Sequence, residues 1–378
     1  MAAASSVLLL IAVGVPTVLA NLGLRHLWAR VVAFVWVGAL AGLTALFGAT
    51  VIGLLTAASL VPGGARGTST LQTQGPAAVF LLAAVLLILL LPALLLPLFS
   101  GSVRRRLARL LPLDADNPVH IVAMALFVVT LVLVLLEQVM LTAFPALARQ
   151  VFASSSFTAA DIVSSELPYA ILGFLGVGVF LRRDLGQSLQ RLGLVRPALW
   201  QVSLALALAG LLFLAGAGLE RLGDWLTPDL SRQLAETNQG LFRQVSNPVS
   251  ALIVGLAAGA CEEILFRGAL QPRLGIPATA VLFGVVHVNY GVSLSLVTVI
   301  LIAVVLAVLR RYTNTTTTIV THATFDAIAL GISSWLVYPL TAGMAVVFGA
   351  AAAAVLFRAR RLSQAPPITS SAPAQPHV

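Results

Sequence analysis

Lysine is absent from this 378-residue sequence, cysteine occurs once, and charged residues make up only 9% of it. The single cysteine, Cys261, excludes an internal disulfide framework and any cysteine-rich metal site. Soluble domains carry about 25% charged residues, so this chain cannot build a water-facing surface. An ordinary cytosolic globule is therefore excluded, and 59% hydrophobic residues exclude intrinsic disorder over the bulk of the chain. With no lysine, all 22 basic residues are arginine, which reads as the codon bias of a GC-rich genome. They are scattered between apolar runs and not gathered into the stripe that nucleic acid requires, so no nucleic-acid partner is expected.

What the chain has in abundance is apolar length. Mean hydropathy is +1.02, and apolar segments fall at roughly 5–24, 31–60, 77–101, 119–148, 167–181, 197–219, 248–269, 276–290, 292–309, 315–336 and 338–357. Runs of about 20 apolar residues span a bilayer as helices, so the expected fold is an all-α, polytopic transmembrane bundle of about eleven spans, within a range of eight to eleven. Arginine marks the cytoplasmic flanks. With the N-terminus outside and the C-terminus inside, 17 of the 22 arginines fall inside, leaving Arg66, Arg149, Arg221, Arg232 and Arg243 outside. A bacterial cytoplasmic membrane is the expected location. Residues 5–20 end on Val18-Leu19-Ala20, the small-residue pattern of a cleavage site, but a basic n-region is missing, so a span is expected there. The loops at 149–166 and 220–247 read as solvated caps or interfacial helices, and 362–378 as a disordered cytoplasmic tail.

Against this background, ionisable residues inside apolar segments stand out. Glu137, Glu262, Glu263, Asp326, His287 and His322 lie there, whereas the other nine acidic residues fall in loops or at segment ends. A charge at membrane depth costs roughly 2.5–3.5 kcal/mol on insertion scales, so such groups are functional or mutually paired. Glu263 and Arg267 are four apart and pair on one helical face. Glu262 is rotated by about 100° from Glu263 and faces a different neighbour. Phe283 and His287, then His322 and Asp326, repeat the four-residue spacing on the next segments. Counted from the arginine-marked ends at about 1.5 Å per residue, Glu262 and His322 lie roughly 10 Å deep, and His287 and Asp326 roughly 15 Å. Polar groups from separate helices at one level point to one convergent site. Gly255 and Gly259 leave room for a neighbouring backbone beside it.

Glu262-Glu263-x-x-x-Arg267, Phe283-x-x-x-His287 and His322-x-x-x-Asp326 together resemble the three-motif signature of the CPBP family. These are the CAAX-processing and bacteriocin-processing intramembrane endopeptidases, also called the Abi family. The resemblance covers about 200–357, which suggests a protease domain at 166–361 preceded by transmembrane helices of unknown role at 1–165. It implies Glu262 as the base that activates water, His287 as a holder of that water, and His322 with Asp326 as stabilisers of the oxyanion. Glu263, Arg267 and Phe283 would support the site. The family often has asparagine where this chain has Asp326; a carboxylate only accepts hydrogen bonds, which leaves Asp326 to act protonated, to orient His322 or to bind a metal. The implied substrates are membrane-associated peptides or proteins, lipid-modified ones included.

The chemistry asks for such a set whatever the name: a base near the operating pH and donors aimed at the developing oxyanion. Glu262, His287 and His322 also make a three-ligand zinc set with an open fourth position, but no His-Glu-x-x-His helix is present, so spacing alone leaves zinc open. Two rival functions use the same residues. An ion- or proton-coupled transporter would employ Glu262, Glu263 and His287 as a relay, and an immunity or scaffold protein would retain the fold for binding alone. Proteolysis requires Glu262, transport requires a gradient, and scaffolding survives loss of the polar cluster. Cys261 reads as a small buried hydrophobe, Glu137 as a partner of Gln138 or of a neighbouring helix, and Asn289 and Tyr290 as an interfacial cap. The Asn314-Thr315-Thr316 glycosylation pattern is discounted for its cytoplasmic placement.

Overall fold

Lipid offers the backbone no hydrogen-bond partner, so apolar segments must satisfy their amides internally and become helices along their whole length. The computed structural model describes residues 2–60, 77–144, 146–147, 150, 156–332 and 334–363. The expected tail beyond Ser363 lies outside the described residues, as do Arg66 and Arg149. Helix α1 (Ala2–Leu9) runs through a π turn at Leu10–Gly14 into α2 (Val15–Leu22). Then follow α3 (Leu27–Leu60), α4 (Ala77–Leu95), a short basic α5 (Gly101–Leu110), α6 (Pro118–Ala143) and α7 (Ala159–Val177). The rest comprises α8 (Leu185–Leu192), α9 (Leu199–Leu226), α10 (Pro228–Phe242), α11 (Pro248–Glu263), α12 (Gln271–Val285), α13 (Leu294–Tyr312), α14 (Thr315–Gly331) and α15 (Val337–Ser363). No named strand forms among the described residues, so the chain is an all-helical, multi-pass membrane protein.

Nine stretches among the described residues are helices long and apolar enough to cross a membrane, the longest being Pro248–Val285. That stretch is two legs. Phe266 and Phe283 would be about 25 Å apart on a straight helix, yet their ring centroids are 5.0 Å apart. The chain doubles back at Gly275, whose φ of 78° suits glycine. The segment expected to span at 276–290 is thus corrected to a short returning leg that ends in a 3₁₀ turn at Val288–Tyr290. Counting this leg and the 17-residue α14 accounts for all eleven apolar segments.

The fifth segment begins earlier than expected. Thr158 and Asp161 form a reciprocal capping box, and the left-handed Gly178 ends the helix. The expected loop at 149–166 therefore contains the first two turns of α7, and Glu166 moves inside a span. The N-terminal segment is integrated into the bundle: Asn21 donates to the Leu175 carbonyl at 3.1 Å and Trp36 to the Ala12 carbonyl at 3.1 Å. Helices α2, α3, α4 and α6 share a core that includes Val51, Leu55, Ala84 and Leu136 and reaches Leu274.

Helices α11 and α14 make the closest approach that positions the site. A Cβ at Gly255 would lie 2.6 Å from the Ala323 carbonyl oxygen, and one at Gly259 2.7 Å from the Ala323 nitrogen. Only backbone can yield there, and that backbone carries His322. Gly259→Val is expected to cost about 1–3 kcal/mol of stability and to depress activity further by displacing His322. Gly343→Val, where no atom stands within 4 Å, is the matched control. Thermal melts of both variants check this, and equal melting would show the approach to be unimportant.

Candidate active site

Local structure sets up the glutamate pair. α11 ends at Glu263 and continues as a π-helical segment, Ile264–Leu270. Such widened turns cluster at functional sites. At this junction Gly173 of α7 packs on Ile264, so closely that a Cβ would lie 2.7 Å from its side chain. Glu263 and Arg267 are 0% and 1% exposed, and they pair at 3.3 Å. Arg267 also donates to the Ala303 carbonyl of α13 at 3.3 Å, and its guanidinium lies 4.3 Å from the Phe283 ring centre. The predicted structural pair therefore exists, tied to two neighbouring helices.

α14 delivers His322. Its first turn is fixed by Asn314, whose side chain accepts from the Thr317 amide at 2.9 Å while donating to Gln201 at 2.9 Å. Asn314 is thereby buried as a helix cap, which gives a structural reason to discount it as a glycosylation site. His322 Nδ1 stands 3.0 Å from Glu263 Oε1, so the ring donates to that carboxylate. Its Nε2 faces two further carboxylates, Asp326 at 3.4 Å and Glu262 at 3.9 Å. Glu262 Oε2 is buried and has no hydrogen-bond partner. One glutamate is thus neutralised by Arg267 and His322, and the other keeps a free acceptor beside the imidazole.

His287 closes the short leg of the hairpin. Its Nδ1 lies 2.7 Å from the Phe283 carbonyl, which can only accept, so Nδ1 carries the proton and Nε2 is left as the acceptor. The Phe283 ring mediates between the motifs, with centroids 5.0 Å from His287, 5.8 Å from His322 and 5.0 Å from Phe266. The sequence assigned Phe283 to support, and it occupies the centre of the cluster. Tyr290 stacks on His287 at 6.2 Å, and Asn289 donates to Asn238 of α10 at 2.9 Å. The expected interfacial cap therefore continues into the site.

Sequence reasoning missed two residues. Gln138 of α6 was treated as a neighbour of Glu137, but its amide donates to the Val285 carbonyl at 3.3 Å and approaches that of His287 at 3.5 Å. The N-terminal helices thus hold the backbone at His287. Glu166 of α7 reads in the sequence as a loop residue; its Oε2 is buried without a hydrogen-bond partner, within electrostatic reach of Glu262, His322 and Asp326. The capping box at Thr158 was the signal that would have found it. Cys261 is free and buried, as expected of a small hydrophobe.

Two of the imidazole nitrogens that a metal site could use are already engaged. His322 Nδ1 is occupied by Glu263 and His287 Nδ1 by a carbonyl. Among the described residues, no group of three histidine, cysteine or carboxylate side chains is arranged to hold a metal ion. Glu262, His287 and His322 are accordingly not gathered into one ligand set.

Residues 244–328 match the family model described as type II CAAX prenyl endopeptidase Rce1-like. Searches of curated proteins and of solved structures gave no match. The matched stretch contains all seven motif residues from Glu262 to Asp326, including every member of the Arg267–Glu263–His322 network. The likeness to Rce1-like type II CAAX prenyl endopeptidases thus spans residues 244–328, the stretch that carries the buried polar cluster.

Proposed function

We propose that this protein hydrolyses peptide bonds of membrane-associated substrates, lipid-modified ones included, with water activated by Glu262. The observation that carries the reading is the division of labour between the glutamates: Glu263 is held by Arg267 and His322, while Glu262 Oε2 is buried, unpartnered and 3.9 Å from His322 Nε2. A polar separation of that length is one that a water molecule bridges. Glu262 takes a proton from the water as its oxygen attacks the scissile carbonyl carbon. The resulting oxyanion accepts a hydrogen bond from protonated His322, with Nδ1–H directed at Glu263. As the C–N bond breaks, the proton on Glu262 passes to the leaving nitrogen, giving a new carboxylate and a new amine. His287 Nε2 accepts a hydrogen bond from the attacking water, and Asp326 orients His322 from the Nε2 side.

The arginine distribution supports a site open to the cytosolic side, with the N-terminus outside and the C-terminus in the cytoplasm of a bacterial cell. We place the catalytic domain at 166–361 and assign residues 1–165 to supporting it, a role favoured by the Gln138 contacts.

The test is hydrolysis by the purified chain of prenylated and unmodified peptides reconstituted in vesicles, with and without a zinc chelator. Cleavage that survives chelation is expected; its loss on chelation and return with zinc would replace the glutamate–water mechanism by a metal-assisted one. No cleavage by folded protein of any presented peptide would count against the reading. Asp326 supplies a second check. Asp326→Asn should retain most of the rate, because an amide can still hold His322, whereas Asp326→Ala should lower kcat by about 10²-fold through misplacement. Equal rates for the two variants would remove Asp326 from the mechanism.

A further inference from the structure

A cavity of about 550 Å³ lies between α6, α7 and the α11–α12 hairpin. Its size is typical of small-ligand pockets, which run from about 300 to 1,000 Å³. Glu262, His287, His322 and Asp326 do not line it; Phe266, whose ring meets Phe283, stands between it and the catalytic cluster. Its body is apolar, formed by side chains such as Leu126, Phe127, Leu172, Leu265 and Leu282. On α6 the lining runs from Val119 to Thr130, about 16 Å of helix.

One end has a different chemistry. Arg182, Arg183, Arg191 and Arg273 converge there, with His120 and Asn117 beside them. Arginines at a membrane face ordinarily extend into water. Three of these are instead held by main-chain carbonyls: Arg183 donates to Val177, Arg191 to Gly268 at 3.2 Å, and Arg273 to Pro112 at 3.0 Å. Arg182 Nε is buried with no hydrogen-bond partner. None of the four forms an ion pair with a carboxylate among the described residues. Asp114, the one carboxylate in the lining, accepts instead from the Asp116 amide at 3.0 Å. Burial and the neighbouring arginines push Arg182 and Arg191 down to about 10, which still leaves both charged at neutral pH. Four clustered, mutually repelling guanidinium groups are stabilised by an anion, and the apolar body behind them by hydrocarbon.

We propose that this cavity is a binding site for an anionic, phosphate-bearing amphiphile, supplied by the bilayer as a glycerophospholipid. Arg182, Arg183, Arg191 and Arg273 hold the phosphate, with planar donors suited to its oxygens, and an acyl chain lies along α6. A basic pocket between transmembrane helices is a recognised setting for anionic headgroups.

The test uses the full-length chain, purified and delipidated in a neutral detergent, with phosphatidylglycerol, phosphatidylcholine and inorganic phosphate as probes. Native mass spectrometry reads retained lipid, and thermal melts read saturable stabilisation. The expected result is one tightly retained phosphatidylglycerol, with phosphatidylcholine and phosphate at least tenfold weaker. Arg182→Gln with Arg191→Gln should weaken phosphatidylglycerol binding at least tenfold. Ala123→Phe, which fills the apolar body and spares the arginines, should do the same and serves if the double variant fails to fold. Equal retention of both lipids, or an unchanged affinity in the folded variants, overturns the proposal. Full stabilisation by phosphate alone also overturns it, leaving a free-anion site.

Discussion

Replacing Glu262 with glutamine is expected to abolish peptide hydrolysis while leaving the fold in place. Glutamine keeps the shape of the side chain but cannot take the proton of the attacking water. Positioned acid–base groups contribute about 10²–10⁴-fold to a rate, and in the proposed mechanism the same group both removes and returns the proton, so a loss near 10⁴-fold is expected. Stability should hold, because Glu262 Oε2 has no hydrogen-bond partner to forfeit. Termini compared in membranes from cells carrying wild type or Glu262→Gln should differ by new ends present only with wild type. The peptide assay should lose its signal while the melting curve stays in place. Identical termini from abundant, folded wild type and variant would reject the protease reading in favour of transport or binding.

Glu263→Ala should produce the largest loss of stability. Arg267 is fully buried and has Glu263 as its ion-pair partner at 3.3 Å. Breaking a buried pair from one side leaves an uncompensated charge and costs about 3–5 kcal/mol, whereas replacing both partners by apolar groups is often neutral or stabilising. The double variant Glu263→Leu with Arg267→Met is therefore expected to recover most of the melting temperature. It should remain inactive, because His322 loses the acceptor that fixes its Nδ1 at 3.0 Å. Melting curves in detergent, paired with the peptide assay, separate the two effects. A Glu263→Ala protein that melts with wild type would show that the network does not hold these helices together.

Six of the seven motif residues were legible because expensive groups in apolar surroundings are visible without coordinates; Phe283, itself apolar, was marked only by its four-residue spacing from His287. Four-residue spacing correctly paired Glu263 with Arg267 and placed His322 beside Asp326, at 3.4 Å. Gly255 and Gly259 announced the close approach of another backbone, which is that of Ala323. The reading went astray where hydropathy averages blur a boundary: the Thr158 cap starts α7 inside a predicted loop, and Gly275 reverses a stretch whose apolar pattern reads straight through.

Sequence by itself determined the membrane environment, the helical class and the polar residues that must meet, because each follows from the cost of placing charge or unpaired backbone in hydrocarbon. Tertiary structure alone decided that His322, arriving from α14, also reaches Glu263, which the spacing had already paired with Arg267, while the imidazole Nε2 faces Glu262 and Asp326. It also decided that Gln138, nearly 150 positions away, holds the backbone at His287, and that Arg182 and Arg183 after α7, Arg191 on α8 and Arg273 on α12 share one cavity mouth. Local rules act over a helical turn; these arrangements depend on how distant helices pack.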